Sequence, residues 1–176
     1  MFRRETSEPV RCAPSSRAGL CTGDEVRYLN LTNDTGSVMA KATVREVIEV
    51  PASQLWHLVA DFGNVGWIPG GESARTEGRG AGMVRIFGAG DAEIRERLEE
   101  VDDANRRIVY TIPHGLPMPI KNYRSTMTVH HVDDARCGLE WSCTFDPDGV
   151  PESDARAQVE NLYSMMVGWI RHYLHR

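Results

Sequence analysis

No run of uncharged apolar residues in this chain approaches the ~18 that a membrane-spanning helix needs. The first residues carry no apolar h-region, which argues against a secretory signal. Basic charge is not in excess: 20 Lys and Arg stand against 25 Asp and Glu, for a net charge of −5. That balance disfavours nucleic acid and anionic membrane as partners, since both are held through cationic surface. Cys12, Cys21, Cys137 and Cys143 form no C-x-x-C pair and stand at no zinc-ligand spacing with histidine. A reduced, cytoplasmic, metal-free protein is the expectation. There is no G-x-S-x-G elbow and no acidic EF-hand loop. Gly78-Arg79-Gly80-Ala81-Gly82 is glycine-rich, but the pattern after it is not helical, so it is not read as a phosphate cradle.

What is present is enough apolar residue for one core, 41% of 176. Composition changes near residue 38. Residues 1–38 hold Arg3, Arg4, Arg11, Arg17 and Arg27 against Glu5, Glu8, Asp24, Glu25 and Asp34, with no apolar period. They read as a disordered, dispensable leader, because they offer too little apolar surface to offset ordering. Met39 at the boundary is a candidate natural start.

From Lys41 onward the pattern is continuous. Alternation predicts strands over 42–50, 72–77, 82–88, 91–101, 107–112, 121–132 and 137–145. Between the first two, Ser53 is placed to cap a short helix carrying Leu55, Trp56, Leu58, Val59 and Phe62. Residues 152–175 place Val159, Leu162, Met166, Ile170 and Tyr173 at steps of three or four, a helical stripe. Seven strands with short links favour an antiparallel meander. The expected class is therefore α+β, one domain over 41–175 with the last helix covering the sheet.

Two residues break the strand pattern. Glu96 falls between Ile94 and Leu98 on the apolar phase of its strand, while Asp91, Glu93, Arg95, Arg97 and Glu99 form the solvent phase. A carboxylate so placed must be paired, hydrated or protonated. Arg85 shares its phase with Met83 and Phe87, although the alternate phase (Val84, Ile86) is also apolar, so periodicity leaves its direction open. An inward Arg85 beside Glu96 would satisfy both charges. Desolvation and a close guanidinium pull a carboxyl in opposite directions, so their contact separates a proton shuttle from an anchor. Tyr110, Tyr123, Ser125 and Trp141 fall in inward phases with Phe87, Leu98 and Ile112. With Leu162 and Met166 from the helix they describe an apolar face bearing a few polar atoms, the composition of a small-molecule cavity. Trp67 and the loop from Leu116 to Pro119 are expected near its mouth.

The run from Val50 to Phe62 (Val-Pro-Ala-Ser-Gln-Leu-Trp-His-Leu-Val-Ala-Asp-Phe), with Gly80-x-Gly82-x-Val84-Arg85, Glu96-Arg97-Leu98 and Asn122-Tyr123-Arg124-Ser125, resembles the START-like, or polyketide cyclase/dehydrase, superfamily. This group is also called SRPBCC or Bet v 1-like. The resemblance implies a helix-grip fold, a seven-stranded antiparallel sheet wrapped round a long C-terminal helix, with a hydrophobic ligand cavity. Two plant branches are similar in motif. In lachrymatory-factor synthases, an Arg and a Glu at the positions of Arg85 and Glu96 are implicated in proton transfer. Abscisic-acid receptors share the blocks at Glu96 and Asn122. Their gate is replaced here by Gly88-Ala89-Gly90 and their latch by Met118-Pro119-Ile120, and no pocket lysine stands near Ser73, so hormone reception is not implied.

Three functions follow from this reading. The first is a monomeric or homodimeric binding protein for a small hydrophobic or aromatic metabolite. The second is a cyclase, dehydratase or isomerase without cofactor, using Glu96 as proton shuttle with Arg85. The third is an interaction module without a small ligand. Turnover separates the first two, and a cavity separates both from the third.

Overall fold

A computed structural model of the chain describes residues 39–176. The expectation of a dispensable leader over 1–38 lies outside the described residues. The elements are β1 (Ala40–Ile48), α1 (Ala52–Ala60), β2 (Arg75–Glu77), β3 (Val84–Phe87), β4 (Ile94–Asp102), β5 (Arg107–His114), β6 (Ile120–His131), β7 (Cys137–Pro147) and α2 (Glu152–Leu174). All seven strands join one antiparallel sheet in the order β1-β7-β6-β5-β4-β3-β2. β2 to β7 are thus a meander, and β1 closes on the last strand.

Period-two alternation makes the sheet one-sided. Along β7, Cys137, Leu139, Trp141, Cys143 and Phe145 are all buried, while the residues between them are half-buried. The opposite face is charged. Arg75 and Arg95 both bridge to Glu93, and Arg95 also reaches Glu77, tying the short edge strand β2 to β4. The other edge is covered by α2, where Arg171 Nη2 donates to Glu46 Oε2 at 2.8 Å and to the Val47 carbonyl at 2.9 Å. An edge acceptor satisfied this way is withheld from pairing with another chain.

Both helices begin after a proline rather than at a side-chain cap. Pro51 stands at φ −56° and ψ 145°, and no side chain caps α1. Its carbonyl accepts from the amides of Gln54 and Leu55 at 3.0 and 3.3 Å. Ser53 therefore lies inside the first turn and is exposed, which corrects the cap expected there. Proline's fixed φ suits this entry position. Two strands also start later than alternation suggests, because Gly71–Ser73 and Gly90–Ala92 are 3₁₀ turns.

The stripe on α2 needs a larger correction. The residues buried against the sheet are Ala155, Val159, Tyr163, Val167 and Ile170. Leu162 and Met166, expected to face the sheet, are half-buried beside that stripe. Steps of four from Val159 and steps of three or four through Leu162 fit the same sequence; the aromatic Tyr163 takes the inward place by stacking on Trp141, with centroids 4.6 Å apart and planes at 17°. Among the described residues no helix is long and apolar enough to cross a membrane.

Candidate functional site

Strand register places the two pattern-breaking residues together. β3 and β4 pair so that Arg85 lies directly opposite Glu96, on the face turned toward the helices. Directly opposed side chains leave Cβ atoms ~5 Å apart, within reach of an ion pair. Arg85 Nε donates to Glu96 Oε2, and the side chains are 5% and 11% exposed. Arg85 Nη1 also donates to the Phe62 carbonyl at 3.2 Å. The guanidinium carbon lies 4.1 Å from the Phe62 ring centroid and 5.7 Å from those of Phe87 and Tyr110. Such enclosure supplies cation–π attraction in place of lost hydration.

The pair is asymmetric toward the interior space. Glu96 lines a cavity of about 230 Å³, and Arg85 does not. The guanidinium stands behind the carboxylate and holds it toward the hollow. Of the residues expected to line that space, Phe87, Tyr110, Ile112, Tyr123, Leu162 and Met166 do so. Leu98, Ser125, Trp141 and Trp67 do not, which corrects the expected lining. The inward face is divided into two halves. Ile108, Met127 and Trp67 meet Leu58 and Val59 of α1 around a space of only about 10 Å³, so that half is solid. Periodicity assigns a residue to a face, not to the hollow or the filled part of it.

Trp67 packs edge-on against Trp141 with centroids 6.4 Å apart, leaving its neighbour Ile68 to reach the cavity. Sequence reasoning missed Ile68, Ile94, Tyr163 and Trp169, whereas Leu116, Pro117 and Met118 belong to the loop expected at the mouth. A helical stripe drawn one residue later would have found Tyr163; Ile68 lies outside any strand or helix and carries no period.

Ser125 and Trp141 contribute behind the wall. Trp141 Nε1 donates to Ser125 Oγ at 3.0 Å and to Tyr110 Oη at 3.2 Å. Ser125 Oγ lies 3.1 Å from Tyr163 Oη, and the Tyr163 and Tyr123 hydroxyls lie 2.5 Å apart. Burial pushes the Tyr110 hydroxyl up to about 12, the Glu96 carboxylate adding to the rise and Arg85 opposing it. Burial likewise lifts Tyr123 and Tyr163 well above the usual phenol range, with Tyr110 adding to both. All three stay protonated and neutral through the physiological range.

The loop between β5 and β6 closes one side of the cavity through Leu116, Pro117 and Met118. It turns at Gly115, whose φ is +76° and where a Cβ would stand 2.0 Å from the Glu93 carbonyl oxygen. Gly115→Ala is expected to lower stability by at least about 1–2 kcal/mol from the left-handed backbone alone. It should also speed ligand release, because the loop must lift from β4. Thermal melts and stopped-flow release of a bound fluorophore measure the two effects; wild-type values in both would sink this role for the loop. Beyond this turn β5 and β6 part, since their pairing ends at Thr111 and Arg124. A groove of about 690 Å³ occupies the seam and shares Ile112, Leu116 and Tyr123 with the inner cavity.

Comparison with known proteins is decisive for the family. Residues 39–168 match the family described as polyketide cyclase / dehydrase and lipid transport. The chain belongs to this family. The same fold recurs in solved structures similar to this chain. The protein XoxI from Bacillus cereus is 29% identical with a TM-score of 0.67, over 77% of this chain and 96% of that one. A Thermobifida fusca protein is 33% identical with a TM-score of 0.61, over 73% and 85%. Norcoclaurine synthase from Thalictrum flavum, solved with dopamine and hydroxybenzaldehyde, is 19% identical with a TM-score of 0.60, over 90% and 96%. That last likeness establishes the Bet v 1-like helix-grip fold alone. As a polyketide cyclase/dehydrase family member the chain has a ligand-binding fold.

Proposed function

We propose that this protein binds a small, largely apolar ring compound in the cavity and anchors one hydrogen-bond donor of it on Glu96. The observation that carries this reading is the buried carboxylate at the wall of an otherwise mostly apolar hollow, backed by a guanidinium that lies outside the lining. A carboxylate with one oxygen engaged by Arg85 keeps lone pairs on the other, and it is an acceptor only. A ligand hydroxyl or amine is its chemical complement. The volume of about 230 Å³ equals roughly eight waters at ~30 Å³ each, so one or two fused rings fit.

A second reading is a cyclase, dehydratase or isomerase that uses Glu96 as a proton shuttle. It is favoured by the family description and by the unbonded second oxygen of Glu96. The close contact with Arg85 favours the anchor, because it engages one oxygen of the carboxylate and fixes the direction of the other. An acid–base role would make Glu96→Gln slow turnover by about 100- to 10,000-fold.

Titration with 2-naphthol, followed by tryptophan fluorescence, tests the anchor. Glu96→Gln should keep the fold and weaken binding about 10- to 100-fold, the range for a hydrogen bond to a charged group. A Gln variant that binds as tightly as wild type would remove Glu96 from the site. Native mass spectrometry of protein purified from its own host then identifies any co-purified metabolite.

A further inference from the structure

Glu96 can only accept, and Arg85, which donates to Glu96 and to the Phe62 carbonyl, does not line the cavity. Trp169 brings an indole N–H to the lining, and the hydroxyl donors there are those of Tyr110, Tyr123 and Tyr163. Their protons can be followed. Ser125, Tyr163, Tyr123 and Tyr110 bring four hydroxyl protons to four contacts in series. These are Ser125 Oγ to the Ser142 carbonyl at 3.2 Å, Ser125 to Tyr163, Tyr163 to Tyr123, and Tyr123 to Tyr110 at 3.5 Å. The Ser142 carbonyl only accepts and the Trp141 indole only donates. The Cys143 thiol beside Tyr163 is a weak partner that leaves the count unchanged.

With the cavity free of a ligand acceptor, all four contacts are filled when the protons run from Tyr110 through Tyr123 and Tyr163 to Ser125 and the Ser142 carbonyl. Running the other way, the chain gives up the Ser142 carbonyl and turns the Tyr110 proton out. A ligand acceptor beside Tyr110 restores the missing bond, so both directions then make four. Tyr110 is the residue whose proton is freed in this way because it ends the series and borders the cavity. Trp141 serves Ser125 and Tyr110 in either direction.

We infer that Tyr110 is the specificity-determining donor of the cavity, giving a hydrogen bond to a neutral acceptor on the bound ring, a carbonyl or ether oxygen or a ring nitrogen, as the hydroxyl chain behind it reverses. This rests on the binding reading above and adds the second polar contact to it. Glu96 reads a donor on the ligand, and Tyr110 reads an acceptor.

Two probes separate the claims: 2-naphthol, which carries a donor, and 2-acetylnaphthalene, which carries only an acceptor. Tyr110→Phe should weaken 2-acetylnaphthalene roughly 3- to 10-fold, the worth of a neutral hydrogen bond, and leave 2-naphthol within about 2-fold. Glu96→Gln should do the reverse. Ser125→Ala removes the competing bond to the Ser142 carbonyl and should tighten 2-acetylnaphthalene about 2- to 3-fold. Urea unfolding of each variant shows that the fold is kept. Unchanged 2-acetylnaphthalene affinity in Tyr110→Phe overturns this inference alone, as does a Ser125→Ala variant that weakens it. Failure of wild-type protein to bind either probe overturns both this inference and the binding reading.

Discussion

Replacing Arg85 by leucine should destabilise the protein by about 3 kcal/mol, the lower end of what breaking a buried ion pair costs. The lower end applies because Glu96, left alone, still borders a cavity that water can enter. The cost comes from the stranded carboxylate rather than from lost packing, since leucine fills part of the space between Phe62, Phe87 and Tyr110. A second change should therefore reverse most of the loss. Arg85→Leu combined with Glu96→Leu leaves no unpaired charge, and such replacements are often neutral or stabilising. Urea unfolding of the two single variants and the double variant measures the coupling. A loss below ~1 kcal/mol in Arg85→Leu would show that Glu96 has no need of its partner. Together with Glu96→Gln, this series separates a pair kept for stability from one kept for a ligand. A protein under selection for stability alone would do as well with two aliphatic residues there.

Alkaline pH should unfold the domain through its tyrosines. Tyr110 ionises near 10 in an unfolded chain and about 12 in the folded one, so above pH 10 the unfolded state loses its proton first. The stabilisation is complete below pH 10 and is lost as pH rises through 12. At 1.36 kcal/mol per pH unit, two units amount to about 3 kcal/mol from Tyr110. Tyr123 and Tyr163 are shifted in the same direction and add to it. That total is comparable to the whole stability of many domains of this size. Tyrosinate absorbance of these three residues should appear together with loss of the circular dichroism of the fold. Complete ionisation of all tyrosines while the fold persists would contradict their burial and the hydroxyl chain built from them. Tyr163→Phe should move the transition to higher pH, because one fewer buried hydroxyl then resists ionisation.

The sequence by itself carried the class, the strand count and the identity of the unusual pair. A period of two survives in β7 and in β6 from Tyr123 to Val129 because one face of the sheet is dry there. Glu96 was legible for the same reason, since a carboxylate interrupting Ile94 and Leu98 is visible wherever alternation is strict. The direction of Arg85 was not, because Val84 and Ile86 are as apolar as its own phase; only the β3–β4 register put it opposite Glu96. The family resemblance, drawn from short motifs spread over the chain, agrees with the match over residues 39–168.

What tertiary structure decided was where the inward face is hollow. Leu98 and Phe87 are equally inward by period, yet only Phe87 borders the cavity. α1 and Trp67 fill one half of the grip, and no local signal in a strand records what another element covers. The rotation of α2 was settled in the same way. Two stripes one residue apart fit its sequence, and the stack of Tyr163 on Trp141 selected one. That choice brought the third hydroxyl to Tyr123 and Ser125 and sent Leu162 and Met166 to the cavity wall. A chain's periodicity says which side of an element is dry; which dry side chains enclose a space depends on the volumes of all the elements packed together.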